Sequence, residues 1–247
     1  MENNELIKRA EDLARRCERT GCITATGFLS PAEQYLLDNH FRGGDCTLLF
    51  VGGAESCERA RAFFLPDYME REYFDASEYI RAIKLTAHFG TPGHRDYMGA
   101  LLGMGVGREW IGDIWVDGAN AYVFCMESVM SHLLSIDKVG RCGVTAEEIG
   151  LASVPERKLE VKERSFSVMS MRLDAVAGGM FDMSRTEAAK HINEGNVSLN
   201  YQQCFKTDSR VQEGDIISLR GAGKGRVTGT GGTSRKGRLF VYTEIFK

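Results

Sequence analysis

Ser184-Arg185-Thr186-Glu187-Ala188-Ala189-Lys190 carries a helix start within itself, and Gly195 supplies the stop. A serine at the N-cap accepts a hydrogen bond from the third residue inside, and Glu187 stands at the reciprocal capping-box position. Gly195 is placed to end the helix in the left-handed conformation. Ala188, Ala189 and Ile192 form its apolar stripe. Residues 171–181 precede it with Leu173, Val176 and Ala177 on one face and Ser170 as a possible cap. Residues 197–200 follow as an extended segment, so two short helices pack against a strand.

Beyond this unit, residues 216–219 and 225–230 read as strands, and residues 239–246 alternate Leu239, Val241, Thr243, Ile245 against Phe240, Tyr242, Glu244, Phe246. Gly231-Gly232-Thr233-Ser234-Arg235-Lys236-Gly237 joins the last two as a flexible hairpin loop with cations at its tip. From Arg220 to Arg238 there are six basic residues and no acid. Residues 1–164 hold 19 basic and 26 acidic side chains, a net of −7, whereas residues 165–247 hold 12 and 8, a net of +4. A basic module on an acidic body is the electrostatic footprint of a protein that engages phosphates through one face, which makes RNA the expected partner.

The 247 residues suffice for two to three small domains, and the charge break favours that division. The segments are 1–73, an N-terminal α/β domain; 74–160, a central domain; and 165–247, the basic domain. No apolar run reaches the ~18 residues that span a bilayer, and Met1-Glu2-Asn3-Asn4 is too polar to open a secretory signal. The expected location is cytoplasmic, with no membrane partner. Seven scattered cysteines without a CxxC pair or clustered histidine argue against a zinc site and a disulfide framework. The GxxxxGK[ST] phosphate loop is missing, and no small-molecule substrate or cofactor is expected.

In the first segment, Leu6, Ala10, Leu13, Ala14 and Cys17 recur at helical spacing, and Ser30-Pro31-Ala32-Glu33 reads as a capped second helix with proline in its first turn. Residues 46–51 read as a buried strand and 56–64 as a helix. In the central segment, residues 79–87 read as a strand and 94–104 as a helix. Residues 111–116 and 121–126 flank the turn Asp117-Gly118-Ala119-Asn120, before a helix over 127–136 and a last strand over 139–144. The β-α-β-β-α-β order is that of a ferredoxin-like unit with the topology of RNA-recognition modules. The whole chain is thus expected to be α+β in three small domains. The central segment lacks the aromatic signature of a base-stacking sheet, so any RNA contact there needs a route such as Arg95 and Arg108. By its spacing the string His94-Arg95-Asp96 reads better as an ordinary helix start, followed by small residues that pack closely on a sheet, than as a functional site.

Arg185 in the first turn of its helix, beside backbone N–H groups, makes a phosphate seat. Ser184, Thr186, Lys190 and Asn193 lie on the same helix, and Arg172 on the preceding one. Asn200, Lys206, Arg210, Lys224, Arg226, Arg235, Lys236 and Arg238 extend the candidate RNA-binding set. Taken singly, Arg185 and Lys190 are also what a solvated helix surface looks like. The further cations favour one phosphate-contacting face.

Arg172-Leu173-Asp174, Ser184-Arg185, Ala188-Ala189, Ile192, Gly195-Asn196-Val197, Asn200, Val211 and Gly214-Asp215 resemble the ribosomal-protein-S-four-type RNA-binding domain, the αL-motif module. Tyr201 departs from it, standing where a glycine often follows the asparagine. The chain as a whole resembles the YlmH family of bacterial cytosolic proteins. There, an N-terminal domain and a middle RNA-binding domain precede this module. His94-Arg95-Asp96, Gly99, Leu102-Gly103, Arg108-Glu109 and Ile111-Gly112-Asp113-Ile114 resemble that middle domain. The resemblance implies structured RNA, rRNA or tRNA, as partner. It further implies the large ribosomal subunit, handling of stalled subunits that retain peptidyl-tRNA, and a genetic link to cell division.

Two other readings remain at this point. Arg172-Leu173-Asp174 is also the string around the catalytic aspartate of pseudouridine synthases, which makes an RNA-modifying enzyme using Asp174 an alternative. Here Ala175-Val176-Ala177 follows, however, and the string opens a helix of the binding module. No supporting constellation of His, Cys or carboxylates accompanies it, and the expected protein is not an enzyme. The third reading is a scaffold whose acidic regions bind proteins while the basic end anchors it.

Overall fold

The computed structural model describes residues 2–42, 47–157, 161–234 and 237–246. The chain divides into two compact units, Met1–Arg157 and Lys158–Lys247.

The first unit opens with helix α1 (Glu2–Thr20), strand β1 (Thr24–Leu29), helix α2 (Pro31–Phe41), and strands β2 (Thr47–Val51) and β3 (Ala60–Leu65). Ala10, Ala14 and Cys17, the helical stripe of α1, pack with Leu37 of α2 and with Ala62 and Phe64 of β3. Ser30 starts α2 through the full capping box. Its Oγ accepts from the Glu33 N–H at 3.4 Å, and the Glu33 carboxylate accepts from the Ser30 N–H at 2.6 Å. Replacing Ser30 with alanine removes both the acceptor and the Oγ donor, and should cost about 1 kcal/mol in denaturant unfolding.

The three strands lie in the order β1-β3-β2. Residues 56–64, expected as a helix, instead end in strand β3. All six residues of β3 are buried because the strand is central and both of its faces are covered. A short apolar run without an exposed face has no period to betray it, and the three-stranded context decides. Arg61 is buried within this strand. Its Nε donates to the Thr26 carbonyl and its Nη1 to the Tyr79 carbonyl, each at 2.8 Å, while burial pushes its pKa down to about 10.

The second sheet of this unit contains β4 (Ile80–Ala87), β5 (Ile111–Asp117), β6 (Asn120–Met126), β7 (Lys138–Val139) and β8 (Cys142–Ile149), with helices α3 (His94–Gly103) and α4 (Glu127–Leu133). Its order is β5-β6-β4-β8-β7. Ile83, Leu85 and Ala87 face the helices, while Ile80 and Ala82 join Phe28, Phe63 and Phe124 on the other side. The first half of the strand is therefore buried on both faces, whereas Lys84 and Thr86 leave its second half partly exposed on one. Residues 139–144, expected as one strand, turn back at Gly140-Arg141. Gly140 has φ +59°, and Val139 pairs with Cys142 across the turn.

The second unit is a six-stranded antiparallel sheet with both helices on one face. It comprises β9 (Val161–Val168), α5 (Leu173–Phe181), α6 (Arg185–Asn193), β10 (Val197–Leu199), β11 (Gln202–Gln203), β12 (Ile216–Leu219), β13 (Gly223–Thr233) and β14 (Leu239–Phe246), in sheet order β11-β10-β12-β13-β14-β9. Leu173, Val176, Ala177 and Met180 of α5, with Ala188 and Ile192 of α6, pack on Val168, Val197, Ile217, Leu219, Val227 and Val241. Strand β9, which no apolar alternation announces, pairs with β14 over its whole length. Helix α5 begins later than expected. Arg172 rather than Ser170 is its N-cap, and the Leu173 and Asp174 N–H groups donate to the Ser209 and Thr207 carbonyls at 2.8 and 3.0 Å. A loop satisfies the orphan donors that a serine was expected to satisfy.

Candidate nucleic-acid interface

Helix α6 presents its start to solvent: Ser184, Arg185, Thr186 and Glu187 are all exposed. The Glu187 N–H donates to Ser184 Oγ at 3.1 Å, the first half of the expected capping box. Gly195 ends the helix at φ +72°. A Cβ there would stand 2.4 Å from the side-chain Nε2 of Gln203 and 2.9 Å from the Phe205 ring. Gly195→Ala should therefore destabilise the second unit by more than about 1 kcal/mol, through the left-handed backbone and the clash together. Urea unfolding reads the loss.

Asp174 sits beneath this helix start with its side chain only 7% exposed. Arg185 reaches its Oδ2 at 2.9 Å through Nε and Nη2. Arg172 reaches Oδ1 through Nε and Oδ2 through Nη2, both at 3.3 Å. Burial alone would raise the Asp174 pKa. The hydrogen bonds and charges of Arg172 and Arg185 outweigh it and hold the carboxyl below its usual range. Two guanidiniums eleven and two residues away are thus tied side by side on one buried carboxylate. The Arg172 and Arg185 side chains remain 39% and 55% exposed, so each keeps donors for an outside anion. With the α6 dipole pointing the same way, the three side chains keep a net positive charge aimed at solvent.

Arg210 stands beside Arg172, since the two residues form an antiparallel β-bridge, and Arg210 is exposed. Lys190 is exposed further along α6 with Glu194 at 3.9 Å, and Asn193 is exposed at its end. Lys206 is exposed in the loop that caps α5. Asn200 has a different place. With Tyr201 it makes the two-residue turn from β10 to β11, at φ +49° and +65°. Its Nδ2 donates to Asp215 Oδ1 at 2.8 Å, and its Oδ1 accepts from the Ile216 N–H at 2.9 Å. Tyr201 thus adopts the left-handed conformation usually left to glycine.

Lys224 and Arg226 lie on the other side of the sheet. They alternate along β13 with Gly225 and Val227, which face the helices, and both stack their charge on the Phe246 ring at 5.7 and 5.8 Å. The single phosphate-contacting face expected from the sequence is therefore divided between two sides of one sheet. Arg238 is exposed at the start of β14, and Arg235 and Lys236 lie outside the described residues.

In the first unit, Arg95 is exposed in the first turn of α3, where the Gly93 N–H donates to Asp96 Oδ2 at 2.8 Å. Arg108 turns inward. Its Nη1 donates to the Ile111 and Gly112 carbonyls at 2.5 and 3.0 Å, and burial, with Arg59 beside it, brings its pKa down to about 10. Arg59, passed over in the sequence, completes this joint. It donates to the carbonyls of Phe28, Arg108 and Ile111, while the Glu58 and Arg59 N–H groups donate to the Asp113 carboxylate. Alternation of Arg59 and Arg61 around Ala60 was the available signal, once that segment is read as a strand.

Among the described residues, no cluster of His, Cys, Asp and Glu could hold a metal ion, and no helix is long and apolar enough to cross a membrane.

Residues 72–153 match the family model described as "Putative RNA-binding domain in YlmH". Over 239 residues the chain is 30% identical to "Ribosome-associated protein quality control protein P2" of Bacillus subtilis (strain 168), covering 96% of this chain and 93% of that protein. Among solved structures, "Cell division protein ylmH from Streptococcus pneumoniae" aligns with a TM-score of 0.54 at 21% identity, over 62% of this chain and 93% of that one. The last likeness concerns the fold alone.

Proposed function

The chain belongs to the YlmH family, and from that premise we propose that it is a non-catalytic protein that binds structured RNA, rRNA or tRNA, on the large ribosomal subunit. The observation that carries this reading is the pairing of Arg172 and Arg185 on buried Asp174 at the open start of α6. Two preoriented guanidiniums beside a helix N-terminus form a site for phosphate, and a buried carboxylate already engaged by both is poorly placed for catalysis. Arg210, Lys190 and Lys206 extend the same surface.

The B. subtilis relative is described as a ribosome-associated quality control protein, and this supports a role for the present chain on stalled subunits that retain peptidyl-tRNA, in the cytoplasm. The family-model match over residues 72–153 supports RNA binding by the central segment as well. There β6 lies between β4 and β5, with β8 on the far side of β4, an order that favours a ferredoxin-like central domain over 74–160. On this reading residues 1–73 form an N-terminal domain that shares the core of Phe28, Phe63, Ile80 and Phe124 with the central one, and residues 165–247 form the αL-motif module. Arg95 is the central residue best placed for a second contact, because Arg108 is committed to backbone carbonyls.

Crosslinking of the full chain to RNA in cells, followed by sequencing, tests the proposal. Reads enriched over the input RNA at discrete sites of large-subunit rRNA and on tRNA are expected. Reads distributed as in total cellular RNA would overturn it.

A further inference from the structure

We propose that the helix-free face of the six-stranded sheet is a second RNA contact, a stacking platform for unpaired nucleotides centred on Tyr242 and Phe240. This rests on the RNA-binding reading above. Along β14, Val241 and Thr243 face the helices, so Phe240, Tyr242, Glu244 and Phe246 face the opposite way. Phe240 and Tyr242 are 40% and 47% exposed.

The neighbours of these rings leave them uncovered. On one side Phe240 pairs with Ser167 and Tyr242 with Ser165 of β9. On the other, Tyr242 pairs with Gly229. A Cβ at Gly231 would stand 2.8 Å from the Tyr242 hydroxyl oxygen and 3.0 Å from its ring. The tyrosine ring therefore lies close against the glycines at positions 229 and 231 of β13, where no side chain covers it, and it stays 47% exposed. Any larger residue at position 231 would push the ring away. This gives the glycines of β13 a purpose that charge alone did not.

Among the described residues, neither Phe240 nor Tyr242 stacks on another aromatic ring. Successive outward positions on a strand are about 6.8 Å apart, a spacing that neighbouring nucleotides of an extended strand can match. Paired bases in a duplex hide their faces in the stack, so this surface suits single strands.

Charge locates the backbone. Lys224 and Arg226 rest on the Phe246 ring at one end, and exposed Arg238 stands at the other. Glu244 and Glu163, paired across β14 and β9, lie between. They line a hollow of about 490 Å³ beside Tyr242, together with Arg164, Ser165, Thr228 and Thr243, and Glu244 stands opposite Arg226 of β13. Carboxylates there repel phosphates and accept from exocyclic amino groups, which turns bases inward and the backbone toward the cations.

Fluorescence anisotropy of the full chain tests this, with a labelled unstructured ten-nucleotide RNA and with large-subunit rRNA as separate probes. Tyr242→Ala and Phe240→Ala should each weaken binding of the unstructured RNA about tenfold, with rRNA binding nearly unchanged. Tyr242→Phe should retain binding, because the ring remains. Arg185→Glu should show the converse pattern, and urea unfolding confirms that each variant folds. If both alanine variants bind the unstructured RNA as wild type does while Arg185→Glu loses rRNA, the platform is overturned and the RNA-binding reading stands. If wild type binds neither probe, both fail. Loss of ribosome association in the alanine variants without loss of either RNA would make this face a protein contact, and would also overturn the proposal.

Discussion

Arg185→Glu is expected to weaken binding of structured RNA by about tenfold or more at ~0.1 M salt, and to flatten the dependence of affinity on salt. Arg185 contributes a preoriented guanidinium, and its replacement sets a second carboxylate beside Asp174. Because that carboxylate also strains the folded state, Arg185→Ala provides the cleaner comparison. Asp174 then keeps Arg172, and the slope of log affinity against log salt should fall by about 1. Anisotropy at four or five salt concentrations measures it. A parallel loss at every salt concentration, with the slope unchanged, would remove Arg185 from the phosphate contacts.

Asp174→Asn should destabilise the second unit by about 2–3 kcal/mol, since two guanidiniums lose the charge that holds them against a buried site. The pH dependence carries a further signature. The folded-state pKa of Asp174 lies below its usual value, so its contribution is fully present above the unfolded pKa of about 3.9 and disappears as pH falls through the folded pKa. The wild-type chain should lose stability below about pH 4 more steeply than Asp174→Asn does. Urea unfolding at pH 7 and at pH 3–4 compares the two. RNA affinity should fall with the substitution as well, because Arg172 and Arg185 are released from their common anchor. The same variant addresses the pseudouridine-synthase alternative: pseudouridine formation in a test RNA that vanishes with Asp174→Asn would favour an enzyme.

The elements legible in the sequence are those whose signals are local. Ser30 with Glu33, Ser184 with Glu187, and the turn at Asp117-Gly118-Ala119-Asn120 bring their partners within a few residues, and each appears where expected. Strand β3 escapes that kind of reading because its identity comes from β1 and β2 on either side. The α5 N-terminus escapes it because its donors are met by Thr207 and Ser209, more than thirty residues on. The candidate site divides the same way. Arg172 and Arg185 stand out by residue type, but their union on Asp174 crosses two helices and becomes visible only once α5 and α6 pack. Separation of Lys224 and Arg226 from them was readable in principle. Gly225 and Val227 are buried in alternation with those cations, and strict alternation sends the charged pair to the far face.

Co-sedimentation of the full chain with large ribosomal subunits through a sucrose cushion, wild type against Arg185→Ala at several salt concentrations, tests the central claim most directly. Wild type should pellet with the subunits at ~0.1 M salt, Arg185→Ala should be released at distinctly lower salt, and both should remain folded. Equal pelleting of the two proteins across the salt series would contradict that claim.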